Sequence, residues 1–299
     1  MNYHQQEALQ RIQTAKLQQA TSLDLTELKL TEIPETILQL PQLAALHLSK
    51  NKIADFAILK NLPKLNFLSL RHCRINDISS LKEVSQLQKL DVGGNSIEDY
   101  SVLQQLPNLW YLKLMQSFDN CNFLKDVPNL KWLDLNHSRV KDYRFLHHLK
   151  SLTELELEFC ELERLDFLEN LPKLQLLNLK FNKLINIDSL RFVPNLSHLN
   201  LAHNKIIDIS PLASLKYLKT LQLRENQLQN YAGWEKFAHV EELHIGQNNL
   251  TDIRFLKSFK KLKKLSLISN DDLTDLNVLK ELNHLTELNL AYMVYKSIR

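Results

Sequence analysis

Glycine is scarce in this chain of 299 residues, which holds four, and cysteine is scarcer, at three. The glycines are Gly93, Gly94, Gly233 and Gly246, so the phosphate-cradling motif G-x-x-x-x-G-K-[ST] cannot be assembled and no nucleotide cofactor is implied. Cys73, Cys121 and Cys160 are odd in number and far apart, which points to reduced thiols in a cytosolic compartment rather than to a disulfide framework. Neither sign of charge dominates. With 37 basic and 34 acidic residues the net charge is +3, without the strongly basic face that nucleic-acid binders commonly carry, so no nucleic-acid partner is expected. The densest basic run, Lys257 to Lys264, reads as solvated surface.

Long apolar runs are also missing. None approaches the roughly 18 residues of a membrane span, and the opening MNYHQQEALQRIQTAKLQQA has no apolar h-region. The expectation is a cytoplasmic protein with no membrane partner, with export by a route independent of a signal peptide left open. The eleven histidines form no ligand set, and no Ser-His-Asp or Cys-His arrangement can be built. The chain is therefore read as a non-enzyme with no catalytic residue, no metal and no cofactor.

What the sequence does contain is one phrase repeated thirteen times at a step of about 22 residues, L-x-x-L-x-L-x-x-N-x-I-x-D. It opens at Ala20, Leu43, Leu65, Leu87, Leu109, Leu130, Leu152, Leu174, Leu196, Leu218, Val240, Leu262 and Leu285. In the ninth repeat Leu196, Leu199, Leu201, Ile206 and Ile209 point inward, and the alternation around L-x-L gives a short strand. A single repeat cannot bury its leucines alone, so neighbouring coils must stack and their strands must pair in parallel. The ninth position, usually Asn, forms an internal ladder. Cys73 and Cys160 share that position as buried turn residues. Repeat five, with 21 residues between Leu109 and Leu130, should be irregular.

The phrase N-x-I-x-D-I, seen at Asn204 to Ile209, resembles the 22-residue class of leucine-rich repeat found in bacterial internalins and in the regulatory subunit of protein phosphatase 1. The opening at Glu7–Pro34 is similar to the start of bacterial intracellular leucine-rich proteins, including the repeat region of bacterial Roco proteins. The resemblance implies an α/β fold: a right-handed leucine-rich-repeat solenoid of about thirteen coils, with a concave parallel β-sheet and a convex side of 3₁₀ or irregular segments. Residues 1–19 are read as a capping helix, with Ala8, Leu9, Ile12 and Ala15 as its apolar stripe, and 20–299 as one repeat domain. The implied function is binding a partner protein of unknown identity on the concave face. The alternatives are a delivered bacterial effector or regulator that inhibits a specific enzyme and, less favoured, an enzyme or nucleic-acid binder.

Positions three, five and seven of each repeat face away from the core, with two and eight beside them. They place Phe67, Tyr111, Trp132, Phe159 and Phe181 outward in what reads as one contiguous region, with Trp110 at its rim. Arg71, His72 and Lys113 lie on one side, and Asp134, Glu154, Glu156 and Glu158 crowd on the other, with Lys180 as the expected partner of Glu158. Gly93 and Gly94 are expected to leave a dip between bulky neighbours. The last coil, ending in Tyr292, Met293, Val294, Tyr295 and Ile298, is a possible homodimer end.

Overall fold

The computed structural model describes residues 3–228 and 233–292. They fall into two compact units, one running to Leu152 and the other from Thr153. The apolar set at Met293, Val294, Tyr295 and Ile298 lies outside the described residues.

The first unit opens with helix α1 (Tyr3–Leu17), which buries Ala8, Ile12 and Ala15 against the strand and the 3₁₀ turn of coil one. Arg11 donates to the Asp24 carbonyl at 3.1 Å and Lys16 to Gln39 at 2.9 Å, pinning the helix across the coil it covers. Six coils follow, with strands Ser22–Asp24, Ala45–His47, Phe67–Ser69, Lys89–Asp91, Tyr111–Lys113 and Trp132–Asp134. They pair in parallel and in register, so that Leu68, Leu90, Leu112 and Leu133 stack one above another. Coil five is irregular, as its missing residue requires. Its Phe118–Asn120 leaves the common path and forms a separate two-stranded parallel sheet with Val140–Asp142 of coil six.

The second unit repeats the pattern with seven strands, Glu154–Glu156, Leu176–Asn178, His198–Asn200, Thr220–Gln222, Glu242–His244, Lys264–Ser266 and Glu287–Asn289. Coil nine shows the core: Leu196, Leu201, Ile206, Ile209 and Leu212 are wholly buried and Leu199 is at 1% exposure. Each such side chain contributes roughly 1.5–3 kcal/mol of transfer free energy.

Opposite the strands, among the described residues, run short 3₁₀ turns and no regular α-helix, since 22 residues leave too few for one. In most coils an aspartate starts the turn, and in coils five and eight an asparagine, Asn120 or Asn186, takes its place. Asp208 accepts from the Ser210 N–H at 2.9 Å and the Ser210 hydroxyl at 2.6 Å, and Leu212 N–H then reaches the Ile209 carbonyl at 2.9 Å. Asp99 repeats this with Ser101, whose N–H and hydroxyl hold its carboxyl below the usual range.

The asparagine ladder is hydrogen bonding between coils, with Cys73 and Cys160 taking the asparagine's place in coils three and seven. Asn95 accepts from the N–H groups of Cys73 and Ile75 at 2.9 and 3.1 Å, and donates to the carbonyls of Leu70 and Val92, both at 2.8 Å. Asn182 does the same for Cys160 and Leu162. Cys73 and Cys160 are buried at the ladder position, and Cys121 is buried as well.

One backbone feature escapes a reading based on hydrophobicity. Position eight is left-handed in every coil but the fifth, from Glu27 (φ 62°) and His72 (φ 54°) to Phe181 (φ 54°) and Tyr292 (φ 57°). Only coil four places there the glycine that this conformation favours, Gly94 at φ 69°. Elsewhere the tight corner between strand and ladder asparagine imposes it on bulky residues.

Candidate functional site

The sheet face opposite the core carries the expected side chains, and within the first unit its aromatics fall into two groups. In the first unit Phe67 packs with His47, ring centroids 5.1 Å apart. Lys89, in the next coil, separates it from the cluster that follows. There Tyr111 and Trp132, in register on neighbouring strands, stack at 3.9 Å with planes 4° apart. Trp110 meets Tyr111 edge-on at 6.2 Å, and the Lys89 ammonium sits 4.8 Å above the Trp110 ring. All three rings remain half-exposed.

Charges alternate along the same strands. Asp91 lies among Arg71, Lys113 and Asp134; burial pushes its carboxyl up, while the Gly93 N–H and then Lys113 and Arg71 oppose that rise. Lys113 forms an ion pair with Asp134. Asp134 was expected to crowd outward with the glutamates, but it is at 1% exposure and its Oδ1 accepts from the Asn136 N–H at 2.8 Å. It is a turn-closing carboxylate held by a lysine, because position five lies two residues before an N–H that the corner leaves unpaired.

The dip expected at Gly93 and Gly94 is also absent. Gly93 is buried, and a Cβ there would meet Asp91 Oδ1 and the Leu114 carbonyl at 3.2 Å and Met115 Cγ at 3.3 Å. Over Gly94 lies the His72 ring, whose Nδ1 would be 2.2 Å from an added Cβ. Neighbouring side chains have filled the space that the missing ones left.

In the second unit the position-eight residues stand 22 apart and stack along one end of the strands. Phe159 and Phe181 lie 4.2 Å apart at 11°, and Phe181 and His203 lie 3.9 Å apart at 19°. His203 continues the line to Glu225, and Lys180 sits 4.6 Å above Phe181. Lys180 is also 3.6 Å from Glu158, the partner the sequence suggested. Asn178 donates to Glu156 at 2.7 Å and to Glu158 at 3.4 Å, while Glu154 occupies position three of the same strand. Among the described residues no group of three or more His, Cys, Asp or Glu is placed to hold a metal ion, and no helix is long and apolar enough to cross a membrane.

A family model described as leucine-rich repeats, two copies, matches residues 194–236. No curated protein matches the chain in sequence. Among solved structures, an internalin of Listeria monocytogenes superposes with a TM-score of 0.71 at 24% identity, over 97% of this chain and 95% of that one. A leucine-rich-repeat protein of Leptospira interrogans gives 0.71 at 23% identity, over 93% and 86%. The mouse RP105/MD-1 complex gives 0.64 at 26% identity, over 83% of this chain and 46% of the matched one. The stacked coils, the asparagine ladder and these superpositions together show that this chain has the leucine-rich-repeat fold, in which it resembles the internalins.

Proposed function

We propose that the chain is a module that binds a partner protein, and that the cluster of Trp110, Tyr111 and Trp132 on the first unit's sheet is its anchor. The observation that carries this reading is the Tyr111–Trp132 stack: two large rings ordered as in a core, yet half-exposed. Rings already fixed lose little rotamer freedom on binding, and aromatic and arginine side chains dominate measured interface energetics. Lys89 beside Trp110 supplies a charge at the edge of the apolar surface. The leucine-rich-repeat fold supports the reading in general terms, one solved relative being the RP105/MD-1 complex.

The test is capture of partners from the native lysate, followed by titration of the purified partner against variants. Trp132→Ala and Tyr111→Ala should each weaken binding by about 2 kcal/mol, roughly thirtyfold, with the thermal midpoint nearly unchanged. Arg71→Glu is a poor probe, since it would set a second carboxylate beside Asp91. Unaltered affinity in both ring variants would place the partner on another surface.

A further inference from the structure

The chain enters each strand of the second unit through residues just before and just after the buried residue that opens the coil. Because the coils repeat at 22 residues, these positions from coils eight to twelve come side by side at the strand ends opposite the aromatic stack. They line a groove of about 600 Å³. Four lysines border it, Lys173, Lys216, Lys219 and Lys261, all exposed and none in an ion pair among the described residues. Its single carboxylate, Glu241, is taken by Lys263 at 2.6 Å. Lys263 first, and then Lys219 and Lys261, hold the Glu241 carboxyl below its usual range, so two of the four bordering lysines lie near that carboxylate. Tyr217, 65% exposed, gives the groove an apolar surface. Asn195 and Ser197 spend their donors on the Pro172 and Gln175 carbonyls at 2.7 and 3.1 Å, which fixes the floor.

From this arrangement we infer a second binding site, in which the groove takes an extended acidic peptide segment of a partner protein. Five adjacent strand ends at about 4.8 Å spacing span roughly 19 Å, the length of about six extended residues. Carboxylates spaced along such a segment meet the four unpaired ammonium groups, and an interleaved apolar side chain rests on Tyr217. Nucleic acid fits less well. Single-strand binding uses a succession of aromatic platforms on a basic track, whereas this groove has one exposed ring and a carboxylate in its floor.

The experiment is a fluorescence-anisotropy titration of the full chain with three labelled probes: a hexapeptide alternating Glu and Leu, the same peptide with Gln for Glu, and a single-stranded oligodeoxynucleotide. The acidic peptide should bind and weaken with salt, and the Gln peptide should not. The double variant Lys216→Glu, Lys219→Glu should lower acidic-peptide affinity tenfold or more, while Lys205→Glu, on an exposed turn, leaves it unchanged. Thermal midpoints report that both variants fold. No binding of the acidic peptide, equal binding of the Gln peptide, or indifference to the double variant overturns the assignment. An oligonucleotide that binds more tightly than the acidic peptide, with the same lysine dependence, overturns it in favour of nucleic acid.

Discussion

Replacing Asn95 by alanine should open the first unit locally between coils three and four. The amide of Asn95 makes four hydrogen bonds, to the N–H groups of Cys73 and Ile75 and to the carbonyls of Leu70 and Val92, and is at 7% exposure. At a net value of about 1 kcal/mol each, the four are worth roughly 4 kcal/mol, and the stranded backbone groups add to that where water cannot reach them. Cys73 holds the same ladder position one coil earlier with its thiol 3.3 Å from the Leu48 carbonyl, a weak bond, so Cys73→Ala should cost only about 1 kcal/mol. Native-state hydrogen exchange is the assay, because repeat chains open in pieces and a single global midpoint averages over them. In Asn95→Ala the Cys73 and Ile75 amides should lose about a thousandfold in protection, since each 1.4 kcal/mol is a factor of ten. Amides near the Asn182 ladder in the second unit should keep theirs. If Asn95→Ala and Cys73→Ala expose those amides equally, the ladder does not hold the coils and the reasoning fails.

Gly94→Ala should destabilise by about 1–2 kcal/mol in urea unfolding, through its left-handed backbone and the His72 ring above it, and the His72→Ala background should recover only the steric part. Gly93→Leu should lose stability outright because its site is filled; a stable variant would restore the open dip. Burial pushes the Cys73 and Cys121 thiols up, so at pH 8 both should resist alkylation in the native chain and react once urea unfolds it. Fast modification without urea would contradict their burial.

The repeating phrase made much of this legible. Leucine and asparagine spacing gave the coils, the ladder, the 3₁₀ side and the irregular fifth repeat, because each follows from a period and a buried face. The Glu158–Lys180 pair could be read because position seven in coils seven and eight is adjacent by register. What stayed hidden is set by backbone geometry or by filling of space. Nothing in the residue types His72, Phe159 or Phe181 announces a left-handed backbone, and only Gly94 hints at it. Asp134 carries the same charge as its glutamate neighbours, but its shorter side chain reaches the turn N–H and leaves the surface. The groove is hidden for another reason: Lys261 belongs to the run Lys257 to Lys264, but Lys173, Lys216 and Lys219 stand far from it in sequence and join it only across coils.

Twenty-two residues is also the grain in which this chain can change length. Excising residues 183–204 as a block would remove one coil and rejoin equivalent positions, bringing Phe181 beside Glu225 with the strands still in phase. A change of one residue has no such freedom, and coil five records the result. Its left-handed corner falls at Met115, one place early, and Phe118–Asn120 is diverted outward to pair with Val140–Asp142. The slip is absorbed inside two coils, since Tyr111 and Trp132 still face each other in register. Coil five thus acts as a stacking fault in an otherwise periodic lattice, and it lies directly beneath the ring stack proposed as the anchor.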